Sequence, residues 1–241
     1  MGLDSERIAP MKPISEVVTP LMTGVTVEPV PAQSTAPPFD EVEDITAWRR
    51  RYVPRRFVGV TAERAPKAFA DVIDQVIGLA KQHQQPLGVL FSADVGRGKT
   101  SALWLMAEEI MFRAQDTGTS ARKVWLETCL FTNHFRLQRE LREWDARRDE
   151  GKVMPRAFWV QHLFLDELST DMDDKSGWNL TLLQELINYR WEHCLPTYVA
   201  TNLTLDELEK TPGWGRIVDR LRDKSWMITA VVSSGGSMRR S

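Results

Sequence analysis

The eight residues Ala93-Asp94-Val95-Gly96-Arg97-Gly98-Lys99-Thr100 have the types and spacing of a loop that cradles phosphates. Glycines let successive backbone N–H groups turn inward on phosphate oxygens, and a helix that starts at the lysine offers them its positive end. Lys99 is placed to reach the β and γ phosphates of a nucleotide such as ATP. The Thr100 hydroxyl is placed to ligate Mg²⁺, with Ser101 following in the same turn. The pattern normally opens on glycine, and Ala93 stands there instead. That exchange costs little unless the backbone at Ala93 needs a positive φ.

Two further groups complete a possible site. Leu163-Phe164-Leu165-Asp166-Glu167 is an apolar run that ends in two carboxylates. An aspartate at a strand end can hold Mg²⁺, and the adjacent glutamate can orient and polarise an attacking water. The pair therefore favours hydrolysis over nucleotide storage. Tyr198-Val199-Ala200-Thr201-Asn202 repeats the design with an amide at the end. Asn202 could hydrogen-bond the γ-phosphate, or it could be a turn residue ahead of Thr204, whose partner Glu207 completes a capping box.

These groups need a frame that brings them together. Ala68, Val72, Ile73, Val76, Ile77 and Ala80 recur at helical spacing, which predicts an amphipathic helix. Residues 87–91 predict a buried strand leading into the loop, and 101–112 a helix leaving it. Further strands are predicted over 123–128, 158–165, 196–200 and 226–232, with helices over 131–148, 180–192, 205–210 and 216–222. Short apolar strands alternating with helices specify an α/β fold, a five-stranded parallel sheet flanked by helices.

Upstream the composition changes. Of the 13 prolines, Pro10, Pro13, Pro20, Pro29, Pro31, Pro37 and Pro38 crowd the start of the chain. Residues 1–42 read as a disordered Pro-rich segment or a tethered docking peptide, and 43–64 as a basic junction carrying Arg49, Arg50, Arg51, Arg55 and Arg56. The ATPase domain is expected over 65–241. The 241 residues carry a net charge of −2 and a pI near 6.1, so global charge gives no support to nucleic-acid binding. A local patch could. The helix over 131–148 interleaves Arg136, Arg139, Arg142, Arg147 and Arg148 with Phe135 and Trp144, which suits tracking a DNA backbone and stacking on bases. Glu140, Glu143 and Asp145 fit a salt-bridged solvated face equally well. Cys129 and Cys194 are isolated, no apolar run approaches membrane-spanning length, and a cytoplasmic location is expected.

The residues 187–203, Ile-Asn-Tyr-Arg-Trp-Glu-His-Cys-Leu-Pro-Thr-Tyr-Val-Ala-Thr-Asn-Leu, resemble a block of the DnaC/IstB branch of the AAA+ ATPases, the helicase loaders and transposition helpers. Val53-Pro54-Arg55-Arg56-Phe57 and Ser234-Gly235-Gly236-Ser237-Met238-Arg239 are similar to segments that flank that family's ATPase domain. The likeness covers about residues 52–240. It implies an AAA+ fold without a C-terminal lid domain, with Asn202 as the γ-phosphate sensor. It also implies that Arg220 is a finger projected into a neighbouring subunit's site, with Arg216 and Arg222 as competitors, and that Arg239 contacts nucleotide. The function it implies is ATP-dependent loading of a replicative helicase on single-stranded DNA by a homo-oligomer. A Pro-rich segment stands where loaders commonly carry a folded helicase-gripping domain, so the helicase contact would move to residues 1–42. The alternatives are an IstB-like transposase helper, a small-molecule P-loop kinase and a non-hydrolysing nucleotide switch.

Overall fold

The computed structural model describes residues 45–232 apart from positions 62, 64, 82–86, 117–119, 152 and 171–176. The readings placed on residues 1–42, and the nucleotide contact expected of Arg239, lie outside them.

Five strands form one parallel sheet: β1 (Gly88–Ala93), β2 (Cys129–Asn133), β3 (His162–Leu168), β4 (Thr197–Thr201) and β5 (Met227–Val232), in the order β2-β3-β4-β1-β5. Parallel strands require crossovers, and helices supply them. They are α1 (Ile45–Tyr52), α2 (Lys67–Lys81), α3 (Lys99–Asp116), α4 (Ala121–Thr128), α5 (His134–Asp145), α6 (Arg156–Trp159), α7 (Trp178–Glu192), α8 (Leu205–Lys210) and α9 (Gly215–Leu221).

Strand alternation divides the core in two. Val89, Phe91 and Ala93 point from β1 into one apolar cluster with α1, α2, α3 and α4. Leu90 points the other way, into a cluster with α5, α7 and α9. On the first face the rings of Trp104, Phe131, Phe164 and Tyr198 form a row across β2, β3 and β4. Their successive centroid separations are 4.0, 5.8 and 4.7 Å. Gly88 opens β1 because nothing larger fits: a Cβ there would lie 2.4 Å from the carbonyl oxygen of Thr197 and from Met227 Sδ.

The predicted architecture holds, and three predicted elements shift. Residues 123–128 are not a strand. They lie in α4, where Ala121 and Trp125 are buried one helical turn apart, and the strand follows as β2. The Arg-rich helix starts at His134 and not near 131, because Asn133 ends β2 and caps α5 by accepting from Arg136 N at 2.9 Å. Phe158 belongs to the short helix α6, and β3 begins at His162.

Where a basic junction was expected, the chain forms α1. Trp48 is fully buried, its ring 5.3 Å from that of Trp125, and Arg49 pairs with Glu108 of α3. The other face depends on Arg190 of α7, which is also fully buried. Its guanidinium donates to the carbonyls of Ala157, Val160 and Pro196 at 2.9, 2.8 and 2.7 Å, and to Thr197 Oγ1 at 2.7 Å. One side chain thus joins α6, α7 and the start of β4.

Candidate nucleotide site

The C-terminal edges of β1, β3 and β4 bring the motif residues together, because all three strands are parallel and adjacent. β1 ends at Ala93, the loop turns through Asp94, Val95, Gly96, Arg97 and Gly98, and α3 starts at Lys99. Gly96 and Gly98 have φ of 80° and 83°, conformations that side-chain-bearing residues resist. Ala93 is not among the residues of positive φ, so its substitution for glycine carries no backbone cost. Val95 is 60% exposed at the loop tip, and Arg97 approaches Asp94 at 4.0 Å.

Lys99 is buried at the loop. Its Nζ donates to the carbonyl oxygens of Ala93 and Asp94 at 2.6 and 2.7 Å. Thr100 Oγ1 lies 3.1 and 3.0 Å from the two carboxylate oxygens of Asp166. A hydroxyl and a carboxylate in direct contact beside the phosphate loop fit a small hard cation, which takes its remaining ligands from phosphate and water. Burial holds the Asp166 carboxyl above its ordinary range. The Glu167 charge adds to that rise, and the Thr100 and backbone hydrogen bonds and Lys99 oppose it. A desolvated carboxylate of this kind gains when a cation arrives.

Glu167 follows in an unusual conformation. Its φ is 58°, its side chain is exposed, and its N–H donates to Asp166 Oδ1 at 3.1 Å. The β3–β4 register breaks between Leu165 and Leu168, so the strand bulges at the two carboxylates. A bulge re-aims a side chain that regular pleating would bury. It turns Glu167 outward at the sheet edge, next to Asp166.

Asn202 stands just beyond β4, whose Thr201 is in register with Ser92 of β1. Ser92 Oγ donates to the Leu203 carbonyl at 2.9 Å, tying that turn to the phosphate-loop strand. The capping role is performed by Thr204 and Glu207, which satisfy each other's N–H groups at 3.2 and 2.7 Å. The Asn202 side chain is left exposed at the edge. Asn133 was missed from sequence. It pairs in register with Asp166, and misplacing β2 hid it.

No protein-family model matches the chain, and no curated protein sequence does either. Solved structures do. The crystal structure of the DnaC helicase loader superposes with a TM-score of 0.53 over 74% of this chain and 99% of that one, at 17% identity. A DnaI crystal structure gives 0.52 over 75% and 94%, at 18% identity. AMPPCP-bound DnaA from Aquifex aeolicus gives 0.52 over 78% and 53%, at 12% identity. This is a DnaC-like AAA+ fold.

Within this fold the three candidate arginines differ. Arg222 is committed to Glu209 and Asp206 at 2.7 and 2.5 Å. Arg216 is exposed and has no hydrogen-bond or ion-pair partner among the described residues. Arg220 is stacked on Trp191, 4.0 Å from its ring centroid. On α5 the ion pairs of the solvated-face reading are present. Arg136 pairs with Glu140 at 3.0 Å and Arg139 approaches Glu143 at 4.0 Å, while Phe135 is 57% exposed. Trp144, counted with Phe135 as a base-stacking ring, is instead buried against Phe158. Among the described residues no helix is long and apolar enough to cross a membrane.

Proposed function

We propose that this chain is an ATP-dependent helicase loader. It binds and hydrolyses ATP, assembles with copies of itself, and places or remodels a replicative helicase on single-stranded DNA. The observation that carries this reading is the contact of Thr100 with both carboxylate oxygens of Asp166 beside an outward Glu167, inside a DnaC-like fold.

In this reading Lys99 exchanges the Ala93 and Asp94 carbonyls for the β and γ phosphates. Thr100 and Asp166 would hold Mg²⁺, which neutralises charge on the phosphates. Glu167 accepts a proton from the attacking water, Asn202 donates to the γ-phosphate, and Arg220 reaches the site of an adjoining subunit. Arg239 contributes a further contact to nucleotide. Phe135, with Arg142 and Arg147 further along the chain, contributes stacking and backbone-tracking groups for single-stranded DNA. Residues 1–42 supply the helicase contact.

Glu167→Gln is the direct test. It should bind ATP normally and turn it over at least ~100-fold more slowly, the scale of a lost general base. Purified with ATP from the native host, it should retain a hexameric helicase. Unchanged turnover would remove Glu167 from catalysis. Failure to recover a helicase, with or without residues 1–42, would end the loader reading, and preference for duplex DNA would redirect it to transposition.

A further inference from the structure

The Arg220 guanidinium is held on three sides. Its Cζ lies 4.0 Å from the Trp191 ring centroid, Nε donates to Asn188 Oδ1 at 3.3 Å, and Nη1 donates to Asp219 Oδ2 at 2.6 Å. Asn188 and Trp191 are one turn apart on α7, so a single helix face supplies both the platform and an edge contact. The platform is itself anchored. Trp191 Nε1 donates to Asp223 Oδ2 at 2.7 Å, and Asp223 Oδ1 accepts from Ser225 N and Oγ at 2.9 and 2.7 Å.

The arrangement leaves one edge open. Nη2 has no hydrogen-bond partner among the described residues, and the side chain remains 31% exposed. A long cationic side chain supplied to another molecule loses rotamer freedom on every encounter unless it is ordered beforehand. Stacking fixes the guanidinium plane, and the bonds to Nε and Nη1 fix its rotation within that plane. Arg222 has no open edge of this kind, since both its terminal nitrogens face carboxylates, and Arg216 has no platform among the described residues.

We propose that Trp191 is a positioning residue for Arg220, presenting a pre-oriented cation to the nucleotide site of a neighbouring copy of this chain. This rests on the reading of Arg220 as the finger and goes on to name what aims it. Misplacement of such a group by about 1 Å costs on the order of 100-fold in rate without removing the group itself.

Mixed subunits separate the two readings. Arg220→Ala subunits keep a working site and lack the finger; Lys99→Ala subunits keep the finger and lack a working site. Mixing them should restore hydrolysis. A Lys99→Ala/Trp191→Leu donor should restore ~10–100-fold less kcat at unchanged KM for ATP. A Lys99→Ala/Trp191→Phe donor, which keeps the ring face, should recover most of it. Equal restoration by the leucine and tryptophan donors, or a loss confined to KM, overturns the role of Trp191 and leaves Arg220 in place. No restoration by any donor overturns Arg220 as a trans-acting residue, and Trp191 with it. Should the leucine donor lose its thermal transition, Lys99→Ala/Trp191→Met takes its place, and full restoration by that donor overturns the proposal.

Discussion

Glu167 and Cys194 are the two non-glycine residues of positive φ among those described, and they make a matched pair. A Cβ in that conformation costs about 1–2 kcal/mol. Glycine at either position should therefore raise the unfolding free energy by up to that amount in denaturant titrations. At Cys194, just past the end of α7, turnover should be unchanged. At Glu167 the gain in stability should accompany loss of hydrolysis, and equal turnover in both variants would show that the strain at Glu167 has no link to chemistry. Asp166 gives a pH signature. Its folded-state carboxyl is raised by burial, so its contribution to stability is complete below the unfolded value and is lost as pH rises through the folded one. Asp166→Asn should thus melt higher than the parent near neutral pH without Mg²⁺, and the difference should shrink in acid. Addition of Mg²⁺ and ATP should raise the melting temperature of the parent alone. The identities of these residues were legible in sequence, since an apolar run ending in Asp-Glu can be read directly. The bulge that turns Glu167 outward was not, because β3 and β4 impose it from separate stretches of chain.

At the scale of elements, Arg190 carries the most. It is a buried cation bonded to oxygens of α6, of β4 and of the turn before β4, with burial lowering its pKa to about 9. Arg190→Leu should cost ~3–5 kcal/mol, because the carbonyls of Ala157, Phe158, Val160 and Pro196 lose a donor at once and a buried acceptor left unsatisfied costs about 1–3 kcal/mol. Arg190→Lys should restore little, since one ammonium cannot span the same fan of acceptors. Chemical denaturation would read both. Sequence spacing placed this arginine on a helix and gave no sign of its burial. The misread of residues 123–128 has a related cause. Over so short a span, Val124 and Trp125 fit a strand as well as a helix, and packing of Trp125 against Trp48 and Trp104 decides for the helix. The long elements α2 and α7 were clear in sequence because their apolar positions repeat over several turns.

For the molecule as a whole, the parallel sheet and the edge at which the motifs meet followed from the alternation of strands and helices. The strand order did not, because pairing partners leave no mark on local sequence. The main surprise at this scale is α1. Composition made residues 43–64 look like a connection, with arginines as its dominant signal, and a single tryptophan among charges does not announce a helix. Yet Ile45, Trp48 and Val53 are buried in the same cluster as the phosphate-loop helix α3, and Arg49 reaches Glu108 on that helix. The smallest stable folded unit therefore includes α1, well before the first recognisable motif. A chain started at residue 65 should show a broadened thermal transition and weakened ATP binding, because it exposes the Trp125 ring that Trp48 and Tyr52 now cover and that packs in turn on Trp104 of α3. Trp48 would also serve as an internal reporter. Its indole lies against α4 in the core that α3 shares, so its fluorescence should register loosening of that core from within.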